Sequence, residues 1–479
     1  MLNLEAILKA SGGREICAGA TSFSGISIDS RTIREGELFV ALKGERFDGH
    51  DFLEDALGKG AGVIMNRDAL CAKDRDGLTG GLRITDRESG RTIIAVEDTL
   101  RALHDIARYL RVGFKGHVLG VVGSNGKTTT KEMLSAVVGT RMKTLKTAGN
   151  FNNNIGMPLS MTRLESDTEA MVLEMGANRP GDIGELCGIA LPDIGVVTNI
   201  GSEHLAGFGS MDKVRESELE ILPYVKKIVL NADDRFLLEG IGPAYGNERI
   251  TFGIEKEDAD IVAGDIAFIE DGTRFLLSTP AGETVVNSRL HGLFNVYNSL
   301  AAAAAASAMG FHTDDIKSGL ESFVGVDMRF RIKNIGGITL LDDVYNANPS
   351  SMEASIKELI RLFNARTGEG AVCHENARAI AVLGDMLELG QYEVDEHRKL
   401  GRLLSSIPVE IFIGVGPLMK NAVQEYGKAG IWVQSPLRAA EALEGLLRDG
   451  DIILVKGSRG MRMEKVHELM GKGGRANAV

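Results

Sequence analysis

Residues 117–130 read HVLGVVGSNGKTTT, an apolar run followed by a turn rich in glycine, lysine and threonine. The run HVLGVV has the composition of a strand that is buried on both faces. A glycine turn lets backbone N–H groups surround a phosphate, and the amino-terminal end of a following helix adds partial positive charge. The segment therefore predicts a buried strand, a phosphate-binding turn and a helix that begins at Lys127.

This turn has the side chains that nucleotide phosphates require. Lys127 is placed to contact the β- and γ-phosphates, and the Thr128 hydroxyl is placed to bind Mg²⁺. The common form of the motif has glycine where Val121 stands, so this is a shortened variant, and an ordinary strand-to-helix turn is the alternative interpretation. We expect the Lys127 ammonium to be exposed before a ligand binds. The predicted nucleotide-binding residues of the turn are Gly123, Ser124, Asn125, Gly126, Lys127, Thr128 and Thr129.

The pattern on both sides of the turn predicts an α/β protein of three domains. Apolar strand candidates such as AMVLEMG, DIGVVTNI and KIVLNA alternate with helical stretches, which is typical of parallel sheets with crossover helices. Five further strand–helix repeats near the carboxyl terminus predict a doubly wound sheet. We predict a smaller α/β amino-terminal domain (1–98), a central P-loop-type parallel-sheet ATPase domain (99–325) and a Rossmann-like carboxyl-terminal domain (326–479).

Charge and cysteine usage narrow the class of protein. The 479 residues include 54 basic and 66 acidic side chains, and a net charge of −12 would repel nucleic acid and anionic membranes. The four cysteines, at positions 17, 71, 187 and 373, are far apart and form no CxxC pair, which is typical of a reducing compartment. We expect a cytoplasmic monomer with no nucleic-acid partner and no membrane insertion.

Two polar residues follow predicted strands of the central domain. Glu174 ends the strand MVLEMG, and His204 follows DIGVVTNI. Because the carboxyl ends of parallel strands meet at one edge of a sheet, we expect both to face the phosphate turn, where an acidic residue holds Mg²⁺ or orients water. The alternatives are a surface ion pair for Glu174 and a structural role for His204. Convergence with Thr128 favours a metal site.

Three segments rich in asparagine, aspartate and glycine also follow predicted strands. They read GNFNNNIGMP (149–158), LLDDVYNANP (340–349) and LVKGSRG (454–460). Each alone is consistent with a turn. Together they lie at carboxyl ends of parallel strands, where open α/β sheets bind ligands. The candidate ligand-binding residues in them are Asn150, Asn153, Asn154, Asn346, Asn348 and Lys456.

The sequence resembles the ATP-dependent Mur ligases of peptidoglycan synthesis. The resemblance covers nearly the whole chain in order, with DSR, GELFVAL and FDGHDF in the first domain. It continues through GSNGKT, GNFNNNIGMP, LEMGANRPGDI, EHLAGFGS and GLFNVYNSLAAAAA in the second domain. In the third domain, DDVYNANPSS and LGDMLELG resemble the branch of the family that adds a dipeptide, and VKGSRG completes the series.

The resemblance implies a ligase that uses ATP and two Mg²⁺ ions. Its substrates would be UDP-N-acetylmuramoyl-tripeptide and D-alanyl-D-alanine. ATP would phosphorylate the terminal carboxylate of the tripeptide, and the amine of the dipeptide would attack the resulting acyl phosphate. The implied catalytic residues are Lys127, Glu174, His204 and Arg329.

The resemblance also implies positions for the substrates. Adenine, ribose and the γ-phosphate would lie near Asn295, Asn298, Arg329 and Asp343. The first domain would bind the UDP sugar through Ser30, Arg31, Phe47, Asp48 and His50. The third domain would bind the dipeptide near Asn346, Asn348, Asp385 and Lys456.

One position departs from the pattern of the family. In most Mur ligases the helix after the EHLxGFGS segment carries a lysine whose CO₂ adduct helps to hold the second Mg²⁺, and Glu218 stands at the matching position here. A glutamate already carries a carboxylate, so we predict that Glu218 binds the metal without modification. The alternative is a solvated helix residue that pairs with Arg215.

Two other functions remain open at this point. Another amino-acid-adding Mur ligase or a folylpolyglutamate-type ligase would share the ATP site and differ in the first domain and in DDVYNANP. A P-loop GTPase or a motor ATPase would leave the third domain without a role, and the NKxD motif that reads guanine is missing from the sequence.

Overall fold

The computed structural model describes residues 2–69, 90–242, 246–367 and 377–470. Cys71 and Cys373 lie outside the described residues, and Cys17 and Cys187 are buried free thiols. Sheets of five, nine and six strands follow one another along the chain. The predicted class, an α/β protein of three domains with parallel sheets, is confirmed.

The first domain is a small sheet covered by short helices. Its strands Gly25–Ser27, Glu37–Val40, Gly62–Asn66 and Thr92–Val96 are parallel, and Arg14–Cys17 pairs antiparallel with the last of them. Leu2–Asn3 and Ser22–Phe23 form a separate two-stranded pair. The helices are Leu4–Ser11, Gly49–Phe52 (3₁₀) and Leu53–Lys59.

A helix over Thr99–Gly113 joins the first domain to the second. The Asp98 side chain caps it by accepting the N–H of Arg101. Leu103 and Ile106 pack in the core of the first domain, whereas Ala107 packs in the core of the second. Because this helix is shared, the boundary between residues 98 and 99 stays a prediction.

The central domain contains a nine-stranded sheet. Seven neighbouring strands are parallel, and a hairpin adds two antiparallel strands at one edge. In spatial order the strands are Thr144–Lys146, Ala170–Glu174, His117–Val122, Ile194–Val197, Lys227–Asn231, Glu248–Gly253, Ile261–Ile269, Gly272–Thr279 and Gly282–Ser288. The second to fifth strands in this order were predicted from their apolar sequences, and the other five were not.

Helices cover both faces of the central sheet. One face packs against Lys127–Val138, Leu293–Ala308 and Thr313–Ser322, and the other against Gly156–Met161 and Asp182–Ala190. The alanine run 301–306 is fully buried in the second of these helices, as expected from its composition. The remaining helices are Leu205–Phe208, Met211–Glu218, Leu219–Tyr224 (3₁₀) and Arg235–Glu239.

The third domain has the predicted doubly wound form. The parallel strands, in spatial order, are Ile338–Asp343, Ile452–Lys456, Ala379–Gly384, Ile411–Val415 and Ile431–Val433. Helices Pro349–Thr367, Glu393–Ser406 and Met419–Tyr426 pack on one face, and Pro436–Glu444 and Glu464–Met470 lie on the other. Short 3₁₀ helices span Gly390–Tyr392 and Arg459–Met461. An antiparallel edge strand, Arg331–Ile335, was not predicted.

Hydrogen bonds join the carboxyl-end loops of the central sheet to those of the third sheet. Asn125 Nδ2 donates to Ser350 Oγ at 2.9 Å, and Arg329 Nη2 donates to Thr128 Oγ1 at 3.0 Å. Open parallel sheets bind ligands at these ends, so the junction is the first place to look for a site. None of the helices within the described ranges is long and apolar enough to cross a membrane.

Candidate active site

A cavity of about 560 Å³ lies at the junction of the central and third domains. The phosphate turn, the asparagine-rich loop and His204 line it from the central domain. Arg329, Asp343 and the segment 345–348 line it from the third. Its volume lies within the range of small-molecule sites.

The phosphate turn connects the central strand His117–Val122 to the helix that begins at Lys127, as predicted. Gly123 (φ 119°) and Gly126 (φ 81°) have backbone conformations that favour glycine. A Cβ atom on Gly126 would lie 2.2 Å from Asn298 Oδ1, and one on Gly123 would lie 2.3 Å from Thr198 Oγ1. Both glycines are therefore needed for the turn to close over its neighbours.

The expectation that the Lys127 ammonium is exposed is wrong. Its side chain is only 14% exposed, and Nζ lies 3.2 Å from Glu203 Oε1. Nζ also donates to the backbone carbonyls of Gly123 and Ser124 at 2.5 and 3.2 Å. Burial opposes the charge on Lys127, but the surrounding carboxylates, Glu203 foremost, outweigh it and raise the pKa of the lysine. The turn's own carbonyls and Glu203 thus hold the ammonium in place.

Glu218 is completely buried beneath the phosphate turn and does not line the cavity. Its Oε2 accepts the Gly123 N–H at 2.7 Å, and its Oε1 has no hydrogen-bond partner. Burial raises the pKa of Glu218 to about 8, against the opposing effect of Lys127. The alternative of a solvated residue that pairs with Arg215 is wrong, since Arg215 pairs with Asp212 at 2.8 Å.

Glu174 and Thr128 meet at the base of the cavity. Thr128 Oγ1 donates to Glu174 Oε1 at 3.0 Å, and Asn152 Nδ2 donates to the same oxygen at 2.9 Å. The other carboxylate oxygen of Glu174 is buried, accepts no hydrogen bond and lies 3.9 Å from the Nζ atom of the buried Lys131, so the alternative of a surface ion pair is wrong. A carboxylate oxygen that accepts no hydrogen bond, beside a hydroxyl, suits a hard cation such as Mg²⁺.

No group of three or more His, Cys, Asp or Glu side chains within the described residues comes together in metal-binding geometry. Mg²⁺ in nucleotide sites commonly takes one or two carboxylates, the phosphates and water. The pair Thr128 and Glu174 fits that pattern. His204 lines the same cavity as this pair.

Arg329 brings a positive charge from the third domain to the phosphate turn. Its Nη2 reaches Thr128 Oγ1, and its guanidinium carbon lies 3.9 Å from the centre of the Tyr345 ring. Its Nε is buried and has no hydrogen-bond partner. This arrangement leaves a donor for an anionic ligand in the cavity.

Asn295, Asn298 and Asp343 also line the cavity, whereas Gly123 of the phosphate turn does not. Asn298 Nδ2 donates to Asn295 Oδ1 at 3.1 Å, which links the two amides. Asp343 Oδ2 accepts from Lys456 Nζ at 2.5 Å, and this lysine also donates to the Asn346 carbonyl at 3.0 Å. Asp343 and Lys456 are therefore a buried ion pair in the described structure.

The asparagine candidates divide into two groups. Asn150, Asn153, Asn346 and Asn348 line the cavity, and Asn348 Nδ2 donates to Asn125 Oδ1 at 2.9 Å across the domain junction. Asn154 does not line it, and its carbonyl lies 2.6 Å from His104 Nε2.

Asp385 and the first-domain candidates lie away from this cavity. Asp385 is buried and accepts the Met419 N–H at 2.8 Å, and burial raises the pKa of its carboxyl. In the first domain Arg31 forms an ion pair with Asp29, and Asp48 Oδ1 lies 2.6 Å from His50 Nδ1. The backbone carbonyl of Ser30 accepts a hydrogen bond from Lys59 Nζ, and the Phe47 side chain is 74% exposed. Their roles in substrate binding stay predictions.

Three family models match the chain in the order of its domains. The model of the "Mur ligase family, catalytic domain" matches residues 22–111, that of the "Mur ligase middle domain" matches 121–306, and that of the "Mur ligase, glutamate ligase domain" matches 328–459. The UDP-N-acetylmuramoyl-tripeptide–D-alanyl-D-alanine ligase of Bacillus subtilis is 34% identical over 454 residues, 93% of this chain and 93% of that protein. The chain belongs to the Mur ligase family. The resemblance that the motifs indicated is confirmed.

Solved structures of Mur ligases have the same architecture. MurF from Acinetobacter baumannii superposes with a TM-score of 0.84 at 30% identity, covering 98% of this chain and 98% of that one. MurF ligase from Thermotoga maritima, solved in complex with ADP, superposes with a TM-score of 0.79 at 32% identity, covering 95% and 98%. The UDP-N-acetylmuramoyl-tripeptide–D-alanyl-D-alanine ligase of Escherichia coli is 32% identical to this chain, over 94% of this chain and 94% of that protein.

Sequence reasoning missed three side chains that contact the phosphate turn or its partners. Glu203, the partner of Lys127, directly precedes His204 in the sequence, and its position after the same strand was a signal for it. Asn152 lies in the asparagine run that was noticed, but the sequence gives no reason to choose it as the partner of Glu174. Ser350, whose hydroxyl accepts a hydrogen bond from the Asn125 amide, has no distinctive signal in the sequence.

Proposed function

We propose that this chain is an ATP-dependent amide ligase that joins D-alanyl-D-alanine to UDP-N-acetylmuramoyl-tripeptide. The observation that carries the proposal is the contact of Arg329 with Thr128, which brings a cation of the third domain onto the phosphate turn of the second. Relatives named for this reaction match more than nine-tenths of the chain. Those names favour this reaction over a folylpolyglutamate-type ligase or a P-loop GTPase.

The proposed reaction activates a carboxylate. A carboxylate oxygen of the tripeptide attacks the γ-phosphorus of ATP, an acyl phosphate forms and ADP leaves. The dipeptide amine then attacks the carbonyl carbon, and the tetrahedral intermediate loses inorganic phosphate to leave the amide. Both steps bring negatively charged groups close together, and preorganised cations such as Lys127 and Arg329 stabilise that charge.

Lys127 has to change partners when the phosphates bind. In the described structure it donates to the turn's own carbonyls and pairs with Glu203. The γ-phosphate carries more charge than a carboxylate and competes for the same ammonium. Glu203 then takes up a proton, since burial raises the pKa of its carboxyl.

We also propose two Mg²⁺ ions at the phosphate turn, held by Thr128, Glu174, His204 and Glu218. Glu174 Oε2 and Glu218 Oε1 accept no hydrogen bond, which supports the two carboxylates as ligands. Metal binding would draw Glu174 Oε2 from Lys131, 3.9 Å away, and Glu218 requires a small shift because it lies beneath the turn. Bound Mg²⁺ neutralises charge on the phosphates and orients them for transfer.

The substrates are proposed to lie on separate domains. The UDP sugar belongs to domain 1–98 near Arg31 and His50, ATP to domain 99–325, and the dipeptide to domain 326–479 near Asn346. Docking of the third domain on the second excludes water that would otherwise hydrolyse the acyl phosphate. The thiol pattern is typical of a reducing compartment and favours a cytoplasmic location. We propose that the chain acts there as a monomer.

A mass-spectrometric assay tests this function. Purified protein with ATP, Mg²⁺ and UDP-N-acetylmuramoyl-tripeptide is offered D-alanyl-D-alanine, L-alanyl-L-alanine, D-alanine or glutamate. We expect a pentapeptide product with the first acceptor alone, and preference for a single amino acid would overturn the assignment. Arg329→Ala should lose about 10²-fold or more in turnover, whereas Arg331→Ala, which removes an exposed guanidinium two residues away, should not.

A further inference from the structure

A second contact between the domains lies beside the cavity, where the segment 204–209 meets the segment 388–392. The Ala206 N–H donates to the Glu388 carbonyl at 3.0 Å, and the Tyr392 hydroxyl donates to the Gly209 carbonyl at 3.2 Å. Gly390 has a left-handed φ of 57°, and a Cβ atom there would lie 3.1 Å from Ala206 Cα. The two segments therefore fit closely, backbone against backbone.

This contact brings His204 and Glu388 together. His204 Nδ1 lies 2.5 Å from Glu388 Oε2. Both residues have left-handed backbones, with φ of 46° and 66°, which side chains other than glycine seldom adopt. The bond between Ala206 and Glu388 holds both unusual conformations in place. The position of the ring is thus set by residues of two domains.

The pair is suited to orienting a ligand more than to stabilising the fold. The Glu388 side chain is 63% exposed, and exposed ion pairs contribute little to stability. Glu388 occupies Nδ1, so Nε2, on the other side of the ring, is the atom left for a ligand in the cavity that His204 lines. Histidines that bind metals usually donate their other ring N–H to a carboxylate or carbonyl in this way.

We propose that Glu388 is a positioning residue that holds His204 for metal binding at the phosphate turn. This inference rests on the proposed function, in which His204 is a Mg²⁺ ligand. Because Glu388 belongs to the third domain, the histidine is fixed only while that domain is docked. Completion of the metal site is therefore coupled to the domain that carries the acceptor.

Manganese binding to the full-length protein tests the role directly. Mn²⁺ replaces Mg²⁺ as an electron paramagnetic resonance probe, and its affinity is measured with ADP present. We expect Glu388→Ala to weaken Mn²⁺ binding about 10-fold or more. Glu388→Gln should be intermediate, since its amide oxygen accepts the same N–H. The matched control Tyr392→Phe breaks the neighbouring contact of the same segments and should bind Mn²⁺ like the parent.

Steady-state kinetics supply a second readout. Glu388→Ala should lower kcat while the KM for D-alanyl-D-alanine changes by less than about twofold. Parent-like Mn²⁺ affinity in Glu388→Ala, with weakened affinity in His204→Asn, would overturn the positioning role alone. Parent-like affinity in His204→Asn would overturn the histidine as a ligand and the positioning role with it. Thermal unfolding of each variant establishes that it is folded.

Discussion

Replacing Lys127 with alanine is expected to remove ligation and also to destabilise the ligand-free protein. The ammonium is the cation that lies closest to Glu203 beneath the phosphate turn, at 3.2 Å. Without it, a buried carboxylate loses its partner, which typically costs about 3–5 kcal/mol. The sequence alone suggested a neutral effect on folding, because an exposed lysine would have no such partner.

The size of the loss follows from the protonation of Glu203. Without Lys127, the Glu203 carboxylate stays buried but becomes neutral by taking up a proton. At pH 7.5 this means protonating a group whose usual pKa is 4.5, and three pH units at about 1.4 kcal/mol each give at most about 4 kcal/mol. For a domain of about 200 residues this corresponds to a fall in Tm of roughly 6–15 °C. The loss should grow as the pH rises, since a raised folded-state pKa costs stability toward high pH.

Calorimetry and turnover together check this prediction. Lys127→Ala is compared with Lys213→Ala, which removes an exposed lysine paired with Glu216, and with Lys127→Ala/Glu203→Gln. The double variant should regain most of the lost Tm and none of the activity, because the lost charge acts on the phosphates. Parent-like stability of Lys127→Ala would refute the buried pair, and an active double variant would refute the phosphate contact.

Three further predictions concern single residues. Activity should not depend on added bicarbonate, and Glu218→Ala should lose most activity at ordinary Mg²⁺. A CO₂ adduct on a lysine of the helix Met211–Glu218, detected by ¹³C NMR, would contradict the role of Glu218 as an unmodified metal ligand. The stability that Glu218 contributes to the protein without ligands should be complete below pH about 4.5 and fade as the pH rises toward its pKa of about 8. Chemical denaturation of Glu218→Gln should therefore show a flatter dependence of stability on pH. A pH profile like that of the parent would argue against the raised pKa of Glu218. Asn346→Ala should raise the KM for D-alanyl-D-alanine more than that for ATP, and equal shifts in initial-rate assays would place the acceptor elsewhere.

The sequence predicted the elements whose signals are local. The buried strand before Gly123, the helix that begins at Lys127 and the five repeats of the third domain all have apolar patterns bounded by glycine or capping residues. The hairpin over 272–288 was missed, since its strands mix apolar residues with polar and charged ones and form no continuous apolar run. Edge strands of this kind depend on pairing with a sheet and not on their own composition.

The sequence predicted which residues belong to the candidate site better than it predicted which of them contact one another. The convergence of Glu174 on Thr128 was predicted from the strand ends, and Arg329 was placed near the γ-phosphate by the resemblance. The structure brings all three into one cavity. Sequence patterns carry no distances between loops of one domain or between domains, so the burial of Lys127 against Glu203 and the pairing of His204 with Glu388 were not predictable. Both contacts join residues whose separation along the chain says nothing about their distance in the fold.

Phosphate release with and without the acceptor is the most direct test of the proposed ligase. The purified protein is supplied with ATP, Mg²⁺ and UDP-N-acetylmuramoyl-tripeptide, and inorganic phosphate is followed continuously before and after D-alanyl-D-alanine is added. A ligase that transfers the acyl group to an amine should release phosphate at a sustained rate only after that addition, one phosphate for each amide formed. Equal release without the dipeptide, or without the tripeptide, would identify a nucleotide hydrolase and contradict the proposal.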